Sequence, residues 1–437
     1  MAILKKLSLL LASVFLFHYG AAAEEDKDYP QVVKSSLSVK LRAATNFQAG
    51  YRNQNHLGPT EKNVSYHKDN FAFFSAAAVF FDISNQLDDV KYGAKIVLVP
   101  TTSIAGAASL NGTHIYIETN FGIFQAGSPI SPATSMMLCE GEIDAGSGAW
   151  TRYANFAPSY LKQTSNIEPS FATGSDYFLD NKLSTYVPDK PYSNEPARSI
   201  AYYTPKFDSG HGGKLQIGLS YIPDSSNTGA GKASSQSSGV STIKVEAGSI
   251  DRFEIDGTVK DAVAGGVCLE QNLSDGVDLK LSLTGEYGKS AGKAKRFTLA
   301  DDKTPNASFK LKDLRTYNIG AVLNFGNFSY AGSFGSLGKS LTTPEFHKTN
   351  RKTNYYSAAI AYKQDSFATS LSYFYSKTFG NTLSAITIGT SYKLAPGFKP
   401  YADVTLFKLK GKPEFSPELS KRATSGAVAI IGAKLSL

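Results

Sequence analysis

From Ser35 to the last residue, apolar and polar side chains alternate along one segment after another of the 437-residue chain. A period of two is the mark of a β-strand, because successive side chains leave opposite faces. In the first segment Leu37, Val39, Leu41, Ala43, Thr45 and Phe47 share one face, while Ser38, Lys40 and Arg42 share the other. The same pattern sets Val90, Tyr92, Ala94, Ile96 and Leu98 against Lys91, Gly93 and Lys95. It recurs over Lys214 to Ile222 and over Val277 to Tyr287. The segment Asn70 to Ile83 is the weakest case, apolar on both faces, and its Phe and Val content still favours strand over helix.

Beyond the first two dozen residues no apolar run reaches the 18 or so residues that a spanning helix needs, which excludes a helical membrane protein. The mean hydropathy of −0.19 would suggest a water-soluble chain. Strands with one lipid-facing and one water-facing side average to the same value. A soluble β-sandwich also alternates, and two features argue against it. Aromatic residues gather near strand ends (Tyr355, Tyr356, Tyr362, Tyr373, Phe374, Tyr375), as they do at membrane interfaces. The alternation also keeps one style throughout, with no linker and no second domain.

The expected fold is therefore all-β, a transmembrane antiparallel barrel of about sixteen strands. Connections on one side are short, as at Asn85–Asp89, Ser274–Gly276, Gly326–Asn327, Gln364–Ser366 and Ala395–Gly397. Those on the other side are long and rich in Ser, Gly, Asn and Lys, as at Asp224–Thr242, Lys289–Lys312 and Gly338–Lys352. This asymmetry belongs to barrels of a bacterial outer membrane. Residues 243–264 read equally as a loop hairpin or a spanning strand. Lys5 and Lys6, an apolar stretch from Leu7 to Tyr19, and Ala21-Ala22-Ala23 before Glu24 form the pattern of a cleaved secretory signal. The expected division is a signal peptide at 1–23 and a barrel domain at 24–437. The localisation that follows is the outer membrane of a Gram-negative bacterium.

The final segment is apolar on one face, with Ala427, Ala429, Ile431, Ala433, Leu435 and Leu437 in phase. It resembles the C-terminal signal that barrel-assembly machinery reads, although Leu437 stands where that signal usually ends in Phe. Three further stretches resemble the Gram-negative general porins. His114 to Ser128 (HIYIETNFGIFQAGS) is similar to the strand pair around a short Phe-Gly turn that precedes the family's constriction loop. Arg198 to Phe207 (RSIAYYTPKF) and Lys214 to Pro223 (KLQIGLSYIP) are similar to the strand pair that follows it. The resemblance implies that 129–197 is a long loop folded into the barrel, and that the protein is a homotrimer. It also implies an Arg at the end of the strand before the loop, where this chain has Ser128.

Such a protein carries out no reaction; its function lies in the width of its lumen and in the field across it. Period two directs Lys40, Arg42, Lys91 and Lys95 into the lumen as a basic wall. Glu140, Glu142 and Asp144 form an acidic counterpart on the inserted segment. The formal charge of +8, less Lys5 and Lys6 after cleavage, points to a mild anion preference. Expected partners are outer-membrane lipids, the barrel-assembly machinery, and small hydrophilic solutes and ions. Two other readings stay open: a solute-specific channel, and a surface adhesin or structural barrel with an occluded pore, to which Ser- and Gly-rich 224–239 could contribute. No catalytic, cofactor or metal site is expected, since the six His residues fall in no metal-ligand spacing. Nucleic-acid binding is not expected either, because the bases are dispersed. Whether Cys139 and Cys268 pair is left open.

Overall fold

The computed structural model describes residues 37–54, 71–99, 109–110, 112–147, 159–163, 169–173, 197–210, 212–227, 239–246, 249–256, 258–298, 307–342, 352–378, 381–410 and 423–437. The expected signal peptide and much of 129–197 lie outside these residues.

One antiparallel sheet holds 18 strand segments. Two pairs of segments are collinear. Ser109–Leu110 and His114–Thr119 both pair with Val90–Val99, and Ser199–Tyr203 and Phe207–Gly210 both pair with Gly213–Asp224. The sheet is thus a barrel of sixteen strands. The first seven are β1 (Ser38–Gln54), β2 (Phe71–Leu87), β3 (Val90–Val99), β4 (the Ser109–Thr119 pair), β5 (Gly122–Gly127), β6 (the Ser199–Gly210 pair) and β7 (Gly213–Asp224). Then come β8 (Val259–Ser274), β9 (Val277–Ser290), β10 (Leu314–Phe325), β11 (Phe328–Gly338) and β12 (Thr353–Gln364). The last four are β13 (Phe367–Thr378), β14 (Asn381–Tyr392), β15 (Phe398–Lys410) and β16 (Ala423–Ser436).

Each strand pairs with its sequence neighbours, and β16 returns to β1 in a register running from Ala44↔Ser436 to Gln54↔Gly426. Ala43 and Leu437 exchange two backbone hydrogen bonds of 2.9 Å at the seam. The barrel is closed, so no edge is left to template aggregation.

Its burial pattern is the reverse of a soluble protein's. On β9, Leu281, Leu283 and Tyr287 are exposed while Ser282, Thr284 and Glu286 are buried. On β14 and β15, Ile386, Ile388, Val404 and Leu406 are exposed while Thr387, Asp403 and Thr405 are buried. An apolar outer face is stable only where hydrocarbon replaces water, and a polar inner face only where water or polar chain fills the lumen. The two-faced apolarity of β2 has a local cause. Its inward Phe74 packs against a cluster on the inner wall that includes Tyr355, Phe374, Phe407, Leu409 and Ile430. Phe80 lies beneath the guanidinium of Arg42, 5.5 Å from the ring centre.

At one end the strands are joined by two-residue turns such as Asp88–Asp89, Asp275–Gly276, Gly326–Asn327 and Asp365–Ser366. Positive φ at Asp88 (49°), Gly276 (76°), Gly326 (55°) and Asp365 (50°) suits such hairpins. The opposite end bears the long connections. There the uncertain stretch resolves into a hairpin, Gly239–Glu246 with Ser249–Asp256, while β8 begins only at Val259. Lys293–Thr298 and Ala307–Lys310 extend that hairpin into a separate four-stranded sheet. Composition concealed it, because Ser, Gly and Lys dilute the strand residues. A second small hairpin pairs Ser159–Gln163 with Pro169–Thr173.

The inversion predicts a sharp contrast between faces. Ile388→Arg, at a position 58 % exposed on the outer wall, should destabilise the barrel by about 2–4 kcal/mol in a bilayer. Lys214→Gln, on the inner face of β7, should stay within about 0.5 kcal/mol. Denaturant titration of both variants in vesicles measures the difference.

Candidate functional site

Two groups of charges stand out on the described part of the inner wall. On β1 to β4 the register brings Lys40 opposite Asp82, Asp82 opposite Lys95, and Lys91 opposite Glu118. Tyr116, buried on the same face, donates to Asp82 Oδ1 at 2.9 Å. Its ring lies beneath two ammonium groups, Lys91 Nζ at 5.8 Å and Lys95 Nζ at 5.5 Å. Lys91 pairs with Glu118 at 3.7 Å, and both are well exposed, so the pair is weak. Lys40, Arg42, Lys91 and Lys95 therefore share one sector of the inner wall, interleaved with two carboxylates and a tyrosine that sequence reasoning passed over. Asp82 sat in the strand without clear alternation, and Tyr116 and Glu118 sat in a stretch read only for its resemblance.

The second group faces the lumen from β7 to β9. Lys206, just before the second half of β6, reaches Glu270 at 2.8 Å, and Lys280 lies 3.8 Å from the same carboxylate. Lys214 stands opposite Glu270 in the β7–β8 register. Lys214 and Lys280 were visible on the polar faces of their strands; that they meet at Glu270 depends on inter-strand register.

Between β5 and β6 the chain turns inward. Ser128 closes β5 through a 2.8 Å bond from its amide to Thr113 O. A single helical turn, Pro132–Ser135, and a 3₁₀ turn, Glu140–Glu142, follow. From there the segment runs along the inner wall, touching one strand after another. Ser135 Oγ meets Tyr203 OH on β6 at 2.8 Å. Leu138 N donates to Ser282 Oγ on β9 at 3.1 Å, and Tyr355 OH on β12 donates to Met137 Sδ at 3.7 Å. Ala145 N donates to Ser370 Oγ on β13 at 2.8 Å, and Ser370 in turn donates to Asp144 Oδ1 at 3.1 Å. At the far side Ser147 N donates to Asp403 Oδ2 on β15 at 2.9 Å. Lys434 Nζ on β16 donates to Gly146 O at 2.9 Å and to Ser147 O at 3.2 Å.

Missing side chains allow this close approach. A Cβ at Gly320 on β10 would run into the Leu138 carbonyl, and one at Gly146 would run into the Asp403 carboxylate. The two short turns of the segment bond their own amides, whereas the amides of Leu138, Ala145 and Ser147 are taken by wall hydroxyls and a wall carboxylate.

The three expected acids separate. Glu140 is fully buried. Asp144 is engaged by Ser370 and by Gly146 N at 3.0 Å. Glu142 is exposed. Cys139 and Cys268 are not joined by a disulfide. The string Gly288-Lys289-Ser290-Ala291-Gly292 matches a hydrolase nucleophile pattern, but it joins β9 to another strand rather than turning into a helix. At the C-terminus Ile431, Ala433, Leu435 and Leu437 lie on the outer face of β16, with Ile431 71 % and Leu437 75 % exposed.

A closed barrel with an apolar outside and a polar inside defines an outer-membrane channel protein. Comparison with known proteins gives the family: the chain matches the Gram-negative porin model over residues 11–412 and belongs to that family. It is 39 % identical to an uncharacterized protein of Rickettsia bellii, covering 98 % of this chain and 99 % of that one. It is 37 % identical to another of Rickettsia felis, covering 99 % and 100 %. Among solved structures it is similar to the anion-selective porin from Comamonas acidovorans, with TM-score 0.51, 14 % identity, and coverage of 92 % of this chain and 100 % of that one. It is likewise similar to a loop-deletion mutant of OmpT, an outer membrane protein of Vibrio cholerae, with TM-score 0.50, 10 % identity, and 92 % and 99 % coverage. At such identities the likeness concerns the fold.

Removing a wall partner should loosen the segment. Ser370→Ala and Asp403→Ala should each lower the hydrogen-exchange protection of the amides at Ala145 and Ser147 by roughly tenfold or more. Unchanged protection in both variants would mean that these contacts do not hold the segment.

Proposed function

We propose that the protein is a passive-diffusion porin whose water-filled channel admits small hydrophilic solutes and ions. In this reading the 129–197 segment narrows the lumen. The chain is exported through a cleaved leader at 1–23, inserted by the barrel-assembly machinery through the Ile431–Leu437 face, and assembled as a homotrimer. The observation that carries the reading is the polar, charge-bearing inner wall with a segment of chain lying across it.

A mild anion preference follows from how those charges are used. Around Tyr116 the bases Lys40, Arg42, Lys91 and Lys95 outnumber the acids Asp82 and Glu118. Asp82 accepts from the tyrosine hydroxyl and keeps its charge, so four bases stand against two acids. Of the three acids Glu140, Glu142 and Asp144 on the segment after β5, Glu140 is buried, Asp144 accepts from Ser370, and Glu142 is exposed. A lumen so biased attracts anions and repels cations at low salt. A solute-specific channel, with the 129–197 segment forming the binding site, is the second reading.

Single-channel recording in planar bilayers under a salt gradient tests the proposal. The expected result is a steady conductance with a reversal potential of anion-selective sign, moved toward the cation side in a Lys40→Gln/Arg42→Gln double variant. A cation-selective sign in the unaltered protein contradicts the preference, and absence of conductance removes the pore. Saturable block by one solute would favour the specific channel.

A further inference from the structure

The outer wall of the barrel is nearly free of charge. Among the described residues, basic side chains on outward-facing strand positions occur only at the end that carries the long connections. Those on β8 to β10 have partners: Lys260, opposite Lys289, pairs with Asp224 at 3.8 Å, Lys289 pairs with Asp261 at 4.0 Å, and Arg315 lies 5.6 Å from the ring centre of Tyr287. Lys377, Lys408 and Lys410 form a separate group with no ion pair or hydrogen bond among the described residues. All three are exposed.

Register sets these three side by side. Lys377 on β13 stands opposite Thr382 on β14, which stands opposite Lys410 on β15. Lys408 occupies the next outward position along β15, opposite Ser384, which in turn faces Tyr375. Lys377 and Lys410 are two strand spacings apart, about 10 Å, and Lys408 and Lys410 about 7 Å apart. Toward the middle of the wall lie the stacked rings of Tyr356 and Tyr375, 4.9 Å apart, and then the exposed Ile386 and Leu406. Only residues 379–380 separate β13 from β14, fewer than at any other joint of that end, and residues 411–422, which follow Lys410, lie outside the described residues.

We propose that this patch binds a phosphate-bearing lipid of the outer leaflet. Unpartnered ammonium groups on a lipid-facing wall face an unfavourable environment unless an anion of the bilayer itself meets them. The headgroup phosphates lie against Lys377, Lys408 and Lys410. The acyl chains descend past Tyr375 over Ile386 and Leu406, where the aromatic rings mark the interface. The charge of the patch, its height on the wall and the apolar surface below it all fit an amphiphile rather than a free anion. The proposal is independent of what passes through the lumen.

The test uses the full-length protein in phosphatidylcholine nanodiscs, titrated with a diphosphorylated glycolipid (diphosphoryl lipid A), with retained lipid counted by native mass spectrometry. The phosphorylated glycolipid should bind on the order of tenfold or more tighter than its dephosphorylated form. K377Q/K408Q/K410Q should abolish that difference while K377R/K408R/K410R keeps it. Inorganic phosphate at matched concentration should not displace the lipid. Equal retention in the glutamine variant, equal affinity with and without phosphates, or displacement by inorganic phosphate would overturn the proposal. If the glutamine variant does not fold, salt titration of the unaltered protein decides. Retention should fall as salt rises, and salt-insensitive binding would overturn the assignment.

Discussion

Backbone hydrogen bonding between β1 and β16 is the constraint on which the other features rest. In hydrocarbon an unpaired N–H or C=O costs several kcal/mol, so a sheet can span the bilayer only when its first and last strands find each other. The eleven-residue register from Ala44↔Ser436 to Gln54↔Gly426, with the Ala43–Leu437 pair beyond it, satisfies that demand. Closure then assigns every side chain to one of two environments. The outward set must suit lipid, which accounts for its near-total lack of charge. The inward set is relieved of that demand and can carry lysines, carboxylates and hydroxyls at positions where a soluble protein would place its core.

An interior freed in this way can hold a further stretch of chain. The segment after β5 has little regular structure beyond two short turns, and several of its amides and carbonyls take wall side chains as partners. Two kinds of position make this possible: glycines such as Gly320, which let backbone lie against backbone, and polar groups such as Ser282, Ser370, Asp403 and Lys434. The Asp403 carboxylate and the Lys434 ammonium hold opposite ends of the same peptide region, one by its N–H and the other by its C=O groups. Positioning the segment and shaping the lumen field are thus partly the same task. Asp144, which looks in sequence like a charge free to face the solute, has its oxygens committed to that anchorage.

Much of the architecture was legible in the sequence because period two is imposed at every strand and cannot be hidden. The facing assigned to β1, β3, β7 and β9 follows directly from Lys40, Lys91, Lys214 and Lys280 alternating with apolar neighbours. Legibility failed where a residue answers to partners distant in sequence. β2 has a blurred alternation because its inward side meets Arg42 and the apolar cluster of β12 to β16. The small outer sheet joins two loops whose pairing no local pattern announces. The roles of Glu140, Glu142 and Asp144 diverge although they sit within five residues, because burial and hydrogen bonding there depend on strands more than two hundred residues away. The Lys377–Lys410 patch likewise exists only through the register of three strands.

The central claim is that the wall separates lipid outside from water inside, and spin-label accessibility along β7 tests it most directly. With Cys139 and Cys268 replaced by Ser, labels are placed singly from Lys214 to Ile222 in a reconstituted bilayer. Collisions with oxygen, which partitions into lipid, should peak at Leu215, Ile217, Leu219 and Tyr221. Collisions with a water-soluble nickel chelate should peak out of phase, most strongly at Lys214 and Gln216. Two profiles in phase, or a nickel maximum on the leucine face, would contradict the account.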